Sequence, residues 1–294
     1  MYIFFRNLSN TIALSLWFFI TGCGGQQDNL TKINGIWLET FPPENQDENR
    51  YTADNKIFTA GREFTYRYHY ISPKGDTLLF KITESETPEF LLYQMAWDFV
   101  DPDTANQNTV EAVTFRIVEG REPFVLNAPD FNQTVQEIRL FNPDKEELGG
   151  FTSSSLIEND KNVWMQMPNM KMFRILALNP MPFIQAPYQQ GNAWEWQMEV
   201  AETNGDSRWK AWGGLVKNTM HYQIGSQEMV RVPWGEALCH LVDADAESGL
   251  GRTHLKAAFN ETYGFLRLDY TNIDGSKLVF ELTDITGAAA TIPQ

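Results

Sequence analysis

The sequence predicts an all-β protein, and three observations support this prediction. Short segments in which apolar and polar residues alternate recur along the chain, and this is the pattern of strands with one buried face. Turn-forming residues separate these segments, as in "LDYTNIDGSKLVF", where Asp-Gly favours a hairpin turn. The second half contains no capped apolar segment of helical period and length. We therefore expect two antiparallel β modules, a barrel followed by a curved half-barrel sheet, behind a cleaved signal peptide.

The N-terminal residues have the features of an export signal. Arg6 precedes an apolar run without acidic residues, which suits a signal peptide but is too short for a membrane-spanning helix. The run ends in "ITGC" at residues 20–23, which resembles the lipobox of bacterial lipoproteins. The resemblance implies removal of residues 1–22 and acylation of Cys23. An ordinary secretory signal with an incidental cysteine is the alternative.

An acylated Cys23 would determine the location of the protein and its first partner, the lipid bilayer. Two or more acyl chains hold a protein stably on a membrane, whereas one chain does not. Residues 23–34 are short and polar, and we expect them to be a tether between this anchor and the first strand. The predicted location is exported and lipid-anchored, on the outer membrane of a Gram-negative envelope, at its periplasmic or its surface face.

The composition of the chain excludes some partners. Its net charge is −15, whereas binding to nucleic acid needs clustered Lys and Arg to replace phosphate counterions, so no nucleic acid is expected to bind. If Cys23 is acylated, Cys239 is the single other cysteine, and no intramolecular disulfide can form. The fold must then depend on its apolar core. No cofactor is predicted.

Residues 35–145 are predicted to form the first β module. In "EFTYRYHY" four aromatic residues alternate with polar ones, which indicates a strand with one buried face. The module begins with "NGIWLET", in which Gly35 and Trp37 match the Gly-x-Trp of lipocalin-like modules in exported lipoproteins. This resemblance implies a barrel with Trp37 packed under its floor. The predicted strands are "GIWLET", "NKIFTA", "EFTYRYHYIS", "TLLFKITES", "FLLYQMAWDF", "EAVTFRIVEG", "PFVLNA" and "VQEIRLFN".

Residues 150–294 are predicted to form the second β module, after a charged and then glycine- and serine-rich linker at residues 144–155. The predicted strands include "KMFRILALNP", "NAWEWQMEVA", "SRWKAWGGLV" and "EALCHLVDADAES". This half resembles a group of uncharacterised exported proteins with a curved antiparallel sheet, through "APYQQGNAWEW", "VRVPWGEALC" and "TYGFLRLDYTNIDG". The resemblance implies the shape of the sheet alone, because function does not follow from fold.

Tryptophans are concentrated in the second module and suggest a ligand site. In "AWEWQMEV" the alternation places two tryptophans and a methionine on one face of a strand. A concave sheet face lined by such side chains would suit a lipid, a sterol or a glycan. The alternative is that these side chains are core residues. The candidate ligand-binding residues are Trp194, Trp196, Met198, Trp209, Trp212 and Trp234.

Neither a catalytic site nor a metal site is predicted. The chain has no Gly-x-Ser-x-Gly motif, and its four histidines do not have metal-ligand spacing, so we expect them to be structural. Asp243, Asp245 and Glu247 alternate along one side of a predicted strand, and together with loop carbonyls they could hold Ca²⁺. A solvated sheet face is the favoured interpretation of these three carboxylates.

These observations predict a membrane-anchored exported lipoprotein that is not an enzyme and that binds an apolar or glycan ligand. An envelope scaffold or protein-interaction component is the first alternative, and a hydrolase with an unrecognised site is the second. The interior of the fold distinguishes these functions. An open apolar cavity favours ligand binding, whereas a filled interior with an exposed apolar patch favours protein interaction. Convergent acids or histidines in a cleft would favour an enzyme.

Overall fold

The computed structural model describes residues 30–33, 35–39, 55–83, 97–118 and 134–287. Within these ranges the chain is built mainly from antiparallel strands, and the predicted all-β class is confirmed. The predicted signal peptide, Cys23 and residues 24–29 of the predicted tether lie outside the described residues. Residues 30–33, which were predicted to belong to the tether, form a strand instead. No helix in these ranges is long and apolar enough to cross a membrane.

The strands follow each other closely along the described chain. In the first half they are β1 Leu30–Ile33, β2 Ile36–Glu39, β3 Glu63–Ile71, β4 Thr77–Ile82, β5 Trp97–Val100, β6 Thr109–Val110, β7 Ala112–Val118 and β8 Thr134–Phe141. In the second half they are β9 Thr152–Glu158, β10 Asn162–Met165, β11 Phe183–Gln185, β12 Ala193–Ala201, β13 Leu215–Val232, β14 Gly235–Ser248, β15 Gly251–Asn260, β16 Gly264–Thr271 and β17 Lys277–Thr286. Short 3₁₀ helices are described at Pro102–Thr104, Lys171–Leu178 and Glu202–Asn204.

Fifteen of the described strands form one sheet that contains strands of both halves of the chain. Its order is β11-β10-β9-β8-β7-β3-β17-β16-β15-β14-β13-β12, with β4 attached to β3 and with β5 and β6 attached to β4. The halves meet where β3 pairs with β17, and there the Thr283 hydroxyl donates to the Thr65 carbonyl at 3.0 Å across 218 residues of sequence. The two predicted modules therefore share one sheet. Alternation predicts which residues form strands but not which distant strands pair.

The predicted linker at residues 144–155 connects two neighbouring strands of this sheet. Its last residues already belong to β9, which pairs with β8. Within the connection the Leu148 amide donates to the Leu140 carbonyl at 2.8 Å, and Gly149 and Gly150 both have a φ of +73°, a conformation that glycine adopts without strain. The segment is thus a turn within the sheet, and the sheet is continuous through it.

Three of the predicted strands on described residues are wrong, and "PFVLNA" lies outside the described residues. In "SRWKAWGGLV" residues 207–214 form turns and bends, and the strand begins at Leu215. Residues 55–60, "NKIFTA", form a loop rather than a strand. The segment "KMFRILALNP" forms the 3₁₀ helix Lys171–Leu178, in which seven of the eight residues are buried. A short and nearly continuous apolar run does not distinguish a strand from a buried helix. Lys171 has a φ of +52°, which interrupts an extended backbone.

The hairpin of β1 and β2 joins the two ends of the sheet. β11 and β12 are the end strands. The Gln185 side-chain amide of β11 donates to the Gly35 carbonyl at 2.6 Å, and a Cβ atom on Gly35 would lie 2.6 Å from the Glu195 carbonyl oxygen of β12. Gly35 has a φ of +92°, so both its conformation and this close approach require glycine. The sheet thus curls until its ends flank Gly35.

The neighbouring Trp37 is held by side chains at the start of β10. Its backbone amide donates to Asn162 Oδ1 at 2.7 Å, and its carbonyl accepts from Asn159 Nδ2 at 2.9 Å. The Gly-x-Trp stretch therefore lies where the ends of the curled sheet meet. The predicted position of Trp37 under a barrel floor stays a prediction.

The concave face of the sheet is covered by the chain's own residues 166–182, which we call the core segment. No residue of this segment is exposed. Phe173 lies at its centre, with ring centroids 5.3 Å from Tyr68 of β3, 5.4 Å from Phe80 of β4 and 5.6 Å from Phe280 of β17. The core segment is therefore packed between strands from the middle of the sheet.

Polar side chains of other strands hold the core segment in register. The Leu178 carbonyl accepts hydrogen bonds from Asn218 Nδ2 at 3.0 Å and from Thr253 Oγ1 at 2.7 Å. The Tyr222 hydroxyl donates to the Met181 carbonyl at 3.2 Å. These bonds satisfy backbone groups that would otherwise be buried without partners, so the segment is fixed by polar contacts as well as by packing.

Candidate functional site

The face of β12 that was predicted to bind a ligand points into the core. Trp196 and Met198 are buried, while Glu195 before them and Glu199 after them are exposed, so the predicted alternation is confirmed. The Trp196 ring meets Trp164 edge to face at 5.6 Å, and the Trp194 ring stacks on Tyr222 at 5.3 Å. Both tryptophans are thus packed against neighbouring aromatic rings.

The other three predicted ligand-binding tryptophans each pack against a different neighbour. Trp209 stacks on Trp97 with centroids 5.9 Å apart. Trp212 donates its indole N–H to the Val200 carbonyl at 3.4 Å, and Trp234 meets Tyr263 at 5.0 Å. All three are partly buried against the core.

A small cavity beside Met198 is the opening that the structure shows next to this face. Its volume is about 10 Å³, which accommodates about one water molecule, whereas sites for small organic ligands measure roughly 300–1,000 Å³. Core-segment residues, including Leu176 and Met181, line it. The ligand-binding role of the six residues stays a prediction, and this packing does not support it.

The β13–β14 hairpin extends beyond its neighbours in the sheet. β12 pairs with β13 only up to Gln223, and β15 pairs with β14 only from His240 onward. Among the described residues, positions 225–239 therefore have no strand partner outside the hairpin, and we call them the hairpin arm. A register shift between Ile224 and Gln227 marks its base, and such bulges increase the local twist of a strand.

The hairpin arm has one buried and one exposed apolar face. Val232, Ala237 and Cys239 are buried. Met229 and Leu238 lie directly opposite each other in register and are 59% and 50% exposed. Exposed large apolar side chains that are placed together indicate an interaction surface.

The predicted carboxylates of β14 lie on the exposed outer face of the sheet, but they are paired with two different side chains. Glu247 Oε1 lies 3.2 Å from the Arg252 guanidinium. Asp243 and Asp245 instead lie beside His254 of β15, at 3.4 Å from its Nε2 and 3.1 Å from its Nδ1, respectively. Spacing along the sequence missed His254 because the contact is made across strands.

The thiol of Cys239 is not an activated nucleophile. Burial raises the pKa of Cys239 to about 12, which disfavours the reactive thiolate. The adjacent His240 contacts Glu261 at 2.9 Å, whereas the Cys239 thiol donates to the Ala237 carbonyl, so the two side chains point to different partners. Ser207 and Lys210 have Ser-x-x-Lys spacing, but they lie in a surface turn.

Comparisons with protein-family models and with curated proteins find no match. Among solved structures, a protein assigned as exported with a YmcC-like fold, from Bacteroides fragilis NCTC 9343, is 12% identical, covers 78% of this chain and 97% of its own, and gives a TM-score of 0.38. A protein assigned as a lipoprotein from Parabacteroides distasonis ATCC 8503 is 9% identical. The similarity covers 78% of this chain and 97% of that protein, with a TM-score of 0.41. The hypothetical lipoprotein YmcC from Escherichia coli K12 is 9% identical. The similarity covers 83% of this chain and 96% of that protein, with a TM-score of 0.28. All three TM-scores lie below 0.5, so these similarities carry no function over to this chain.

Proposed function

We propose that this chain is an exported lipoprotein without catalytic activity that is anchored through Cys23 and engages another protein of the cell envelope through its hairpin arm. The observation that supports the protein-interaction role is the combination of a core filled by residues 166–182 with two exposed, adjacent apolar side chains, Met229 and Leu238. Because the described residues cover the concave face, the proposed place of binding is the outer surface. This favours the interaction component over the ligand carrier.

The anchor is supported by the "ITGC" run at residues 20–23 after a short apolar segment. The proposed membrane is the outer membrane. Six residues lie between Cys23 and the start of β1 at Leu30, and an extended chain spans at most about 3.5 Å per residue step. The folded part would therefore begin within roughly 25 Å of the bilayer.

Replacing Cys23 with serine should release the protein from membranes without altering its fold. The serine hydroxyl cannot form the thioether to diacylglycerol, and Cys23 precedes the first described strand. The measurement is fractionation of cells after a high-salt wash, with folding checked by circular dichroism. Retention of the Cys23→Ser protein in the membrane pellet would contradict the proposed anchor.

A photo-reactive amino acid placed at Met229 should give a discrete protein adduct in intact cells. Met229 is exposed on the hairpin arm, next to Leu238. The matched control carries the photo-reactive group at Gln223, which is exposed on the same strand where that strand pairs with β12. We expect an adduct from position 229 that is lost when Leu238→Glu is added.

The mass and protease sensitivity of the adduct distinguish its possible sources. A protease-sensitive adduct of defined mass supports a protein partner. Equal yields from positions 229 and 223, or adducts with lipid alone, would argue against the arm as a protein-binding surface. The Cys23→Ser result does not depend on this outcome, so the anchor and the interaction are tested separately.

A further inference from the structure

A row of alternating carboxylates and imidazoles crosses four neighbouring strands on the outer face of the sheet. Glu195 of β12 lies opposite His221 of β13, His221 lies opposite Asp245 of β14, and Asp245 lies opposite His254 of β15. Directly opposite residues in antiparallel strands have Cβ atoms about 4.5–5.5 Å apart. The row therefore brings side chains of metal-ligand type into contact range, although they are dispersed along the sequence.

The row is densest at its β14–β15 end, where Asp243 adds a third side chain. One ligand atom each from Asp243, Asp245 and His254 lies within 4.8 Å of the other two. Both aspartates are exposed and His254 is partly buried. The imidazole is thus held against the sheet, while the two carboxylates can still rotate toward a common point.

The donor types favour a transition-metal ion over Ca²⁺. Zn²⁺ is bound by histidine nitrogen and carboxylate oxygen at about 2.0–2.2 Å in tetrahedral sites, which places donor atoms roughly 3.3–3.6 Å from each other. Here Asp243 lies 3.4 Å from Nε2 of His254 and Asp245 lies 3.1 Å from Nδ1. Because one ion binds one ring nitrogen, one of the two exposed carboxylates has to rotate away from the nitrogen that it now contacts. Ca²⁺ prefers oxygen ligands throughout, so His254 is a poor ligand for that ion.

We propose that Asp243, Asp245 and His254 form a binding site for a divalent transition-metal ion of the Zn²⁺ class, with water as a further ligand. Glu247, which sequence spacing would group with the two aspartates, is not part of this site because it is paired with Arg252 at 3.2 Å. His221 lies on the other side of Asp245 in the register, where its Nδ1 is 3.4 Å from Glu195 Oε2, so it belongs to a separate carboxylate–imidazole pair. The site faces solvent and is independent of the hairpin arm.

The test is titration of Zn²⁺ into the chelator-treated protein, purified from membranes in detergent, by isothermal titration calorimetry. One ion should bind per chain. Changing a hydrogen-bond partner of a metal ligand already weakens metal binding about 10- to 100-fold, so Asp245→Asn and His254→Gln should each weaken it by roughly 100-fold or more. Glu247→Gln is the matched control, because it removes the same charge from the same face of β14.

The control separates a site from general attraction of cations to an acidic surface. Binding that is retained in Glu247→Gln but lost in Asp245→Asn and His254→Gln supports the site. Equal weakening in Asp245→Asn and Glu247→Gln, or no binding to the unmodified protein, would overturn the proposal, and the cluster would then be an ion pair of His254 with two carboxylates. Circular dichroism of each variant establishes that the sheet is intact.

Discussion

Phe173→Ala should lower the free energy of unfolding by about 3–5 kcal/mol. Phe173 is fully buried at the centre of the core segment, against aromatic rings of β3, β4 and β17. Truncation removes its ring from all three contacts and leaves a cavity that these strands cannot easily fill. Urea denaturation followed by tryptophan fluorescence measures the change.

Phe151→Ala is the matched control for this substitution. It makes the same chemical change at a side chain that is 46% exposed and that packs against the Arg139 guanidinium at 5.3 Å. We expect a loss of no more than about 0.5 kcal/mol there, as for most surface substitutions. Similar losses for the two variants would mean that the core segment is not the packed centre of the fold.

Glu158→Ala should destabilise the protein by about 3–5 kcal/mol. Glu158 is a buried carboxylate at the end of β9, and it accepts hydrogen bonds from the backbone amides of Lys56, Ile57 and Phe58 at 2.9, 2.8 and 2.8 Å. Alanine would leave three N–H groups in the loop without an acceptor. It would also leave the buried Arg62, whose guanidinium is attracted to Glu158, without its counter-charge. Chemical denaturation gives the size of this loss.

Two further variants show whether the loss of stability in Glu158→Ala comes from the buried carboxylate. Asp160→Ala removes an exposed carboxylate that pairs with the Lys56 ammonium at 2.8 Å, and we expect a loss of at most about 1 kcal/mol. Glu158→Gln keeps one oxygen acceptor but places an amide group toward a backbone donor, so its loss should lie between those of the two alanine variants. Equal losses for Glu158→Ala and Asp160→Ala would contradict the proposed role of the buried carboxylate.

The pH dependence of stability provides a second readout at Glu158. Burial raises the pKa of this carboxyl, against the opposite effect of its backbone donors. The folded state therefore binds the proton of Glu158 more tightly than the unfolded state does. The stability that this proton adds is fully present below the pKa of Glu158 in the unfolded chain, and it is lost as the pH rises through the pKa of Glu158 in the folded protein. Glu158→Gln should lack this slope.

Local patterns predicted those elements whose partners are close in sequence. "EFTYRYHYIS" forms β3 at Glu63–Ile71, and its aromatic residues are buried in alternation. The Asp-Gly turn between β16 and β17 is also confirmed, with the Gly275 amide donating to the Asn272 carbonyl at 3.0 Å. In both cases the deciding information lies within about ten residues of the element.

The remaining features depend on contacts that no short window contains. The pairing of β3 with β17 and the position of residues 166–182 against the concave face are set by the closure of the whole sheet.

The candidate sites also depend on contacts between residues that are distant in sequence. Spacing along β14 selected Asp243, Asp245 and Glu247, whereas the structure replaces Glu247 with His254 because cross-strand neighbours are determined by register. Spacing placed Trp196 on the correct face but could not show that this face is covered.

The pairing of β3 with β17 has a consequence for the order of folding. If the chain is exported from its N-terminus, as proposed, β3 leaves the secretion channel long before β17, its neighbour in the finished sheet. Contacts of such high contact order form slowly and expose unpaired strand edges in the meantime. Until residues 277–286 have crossed the membrane, the edge of β3 that β17 will occupy therefore has to be protected from aggregation. This places completion of the fold after translocation and makes a periplasmic holding chaperone useful to this chain.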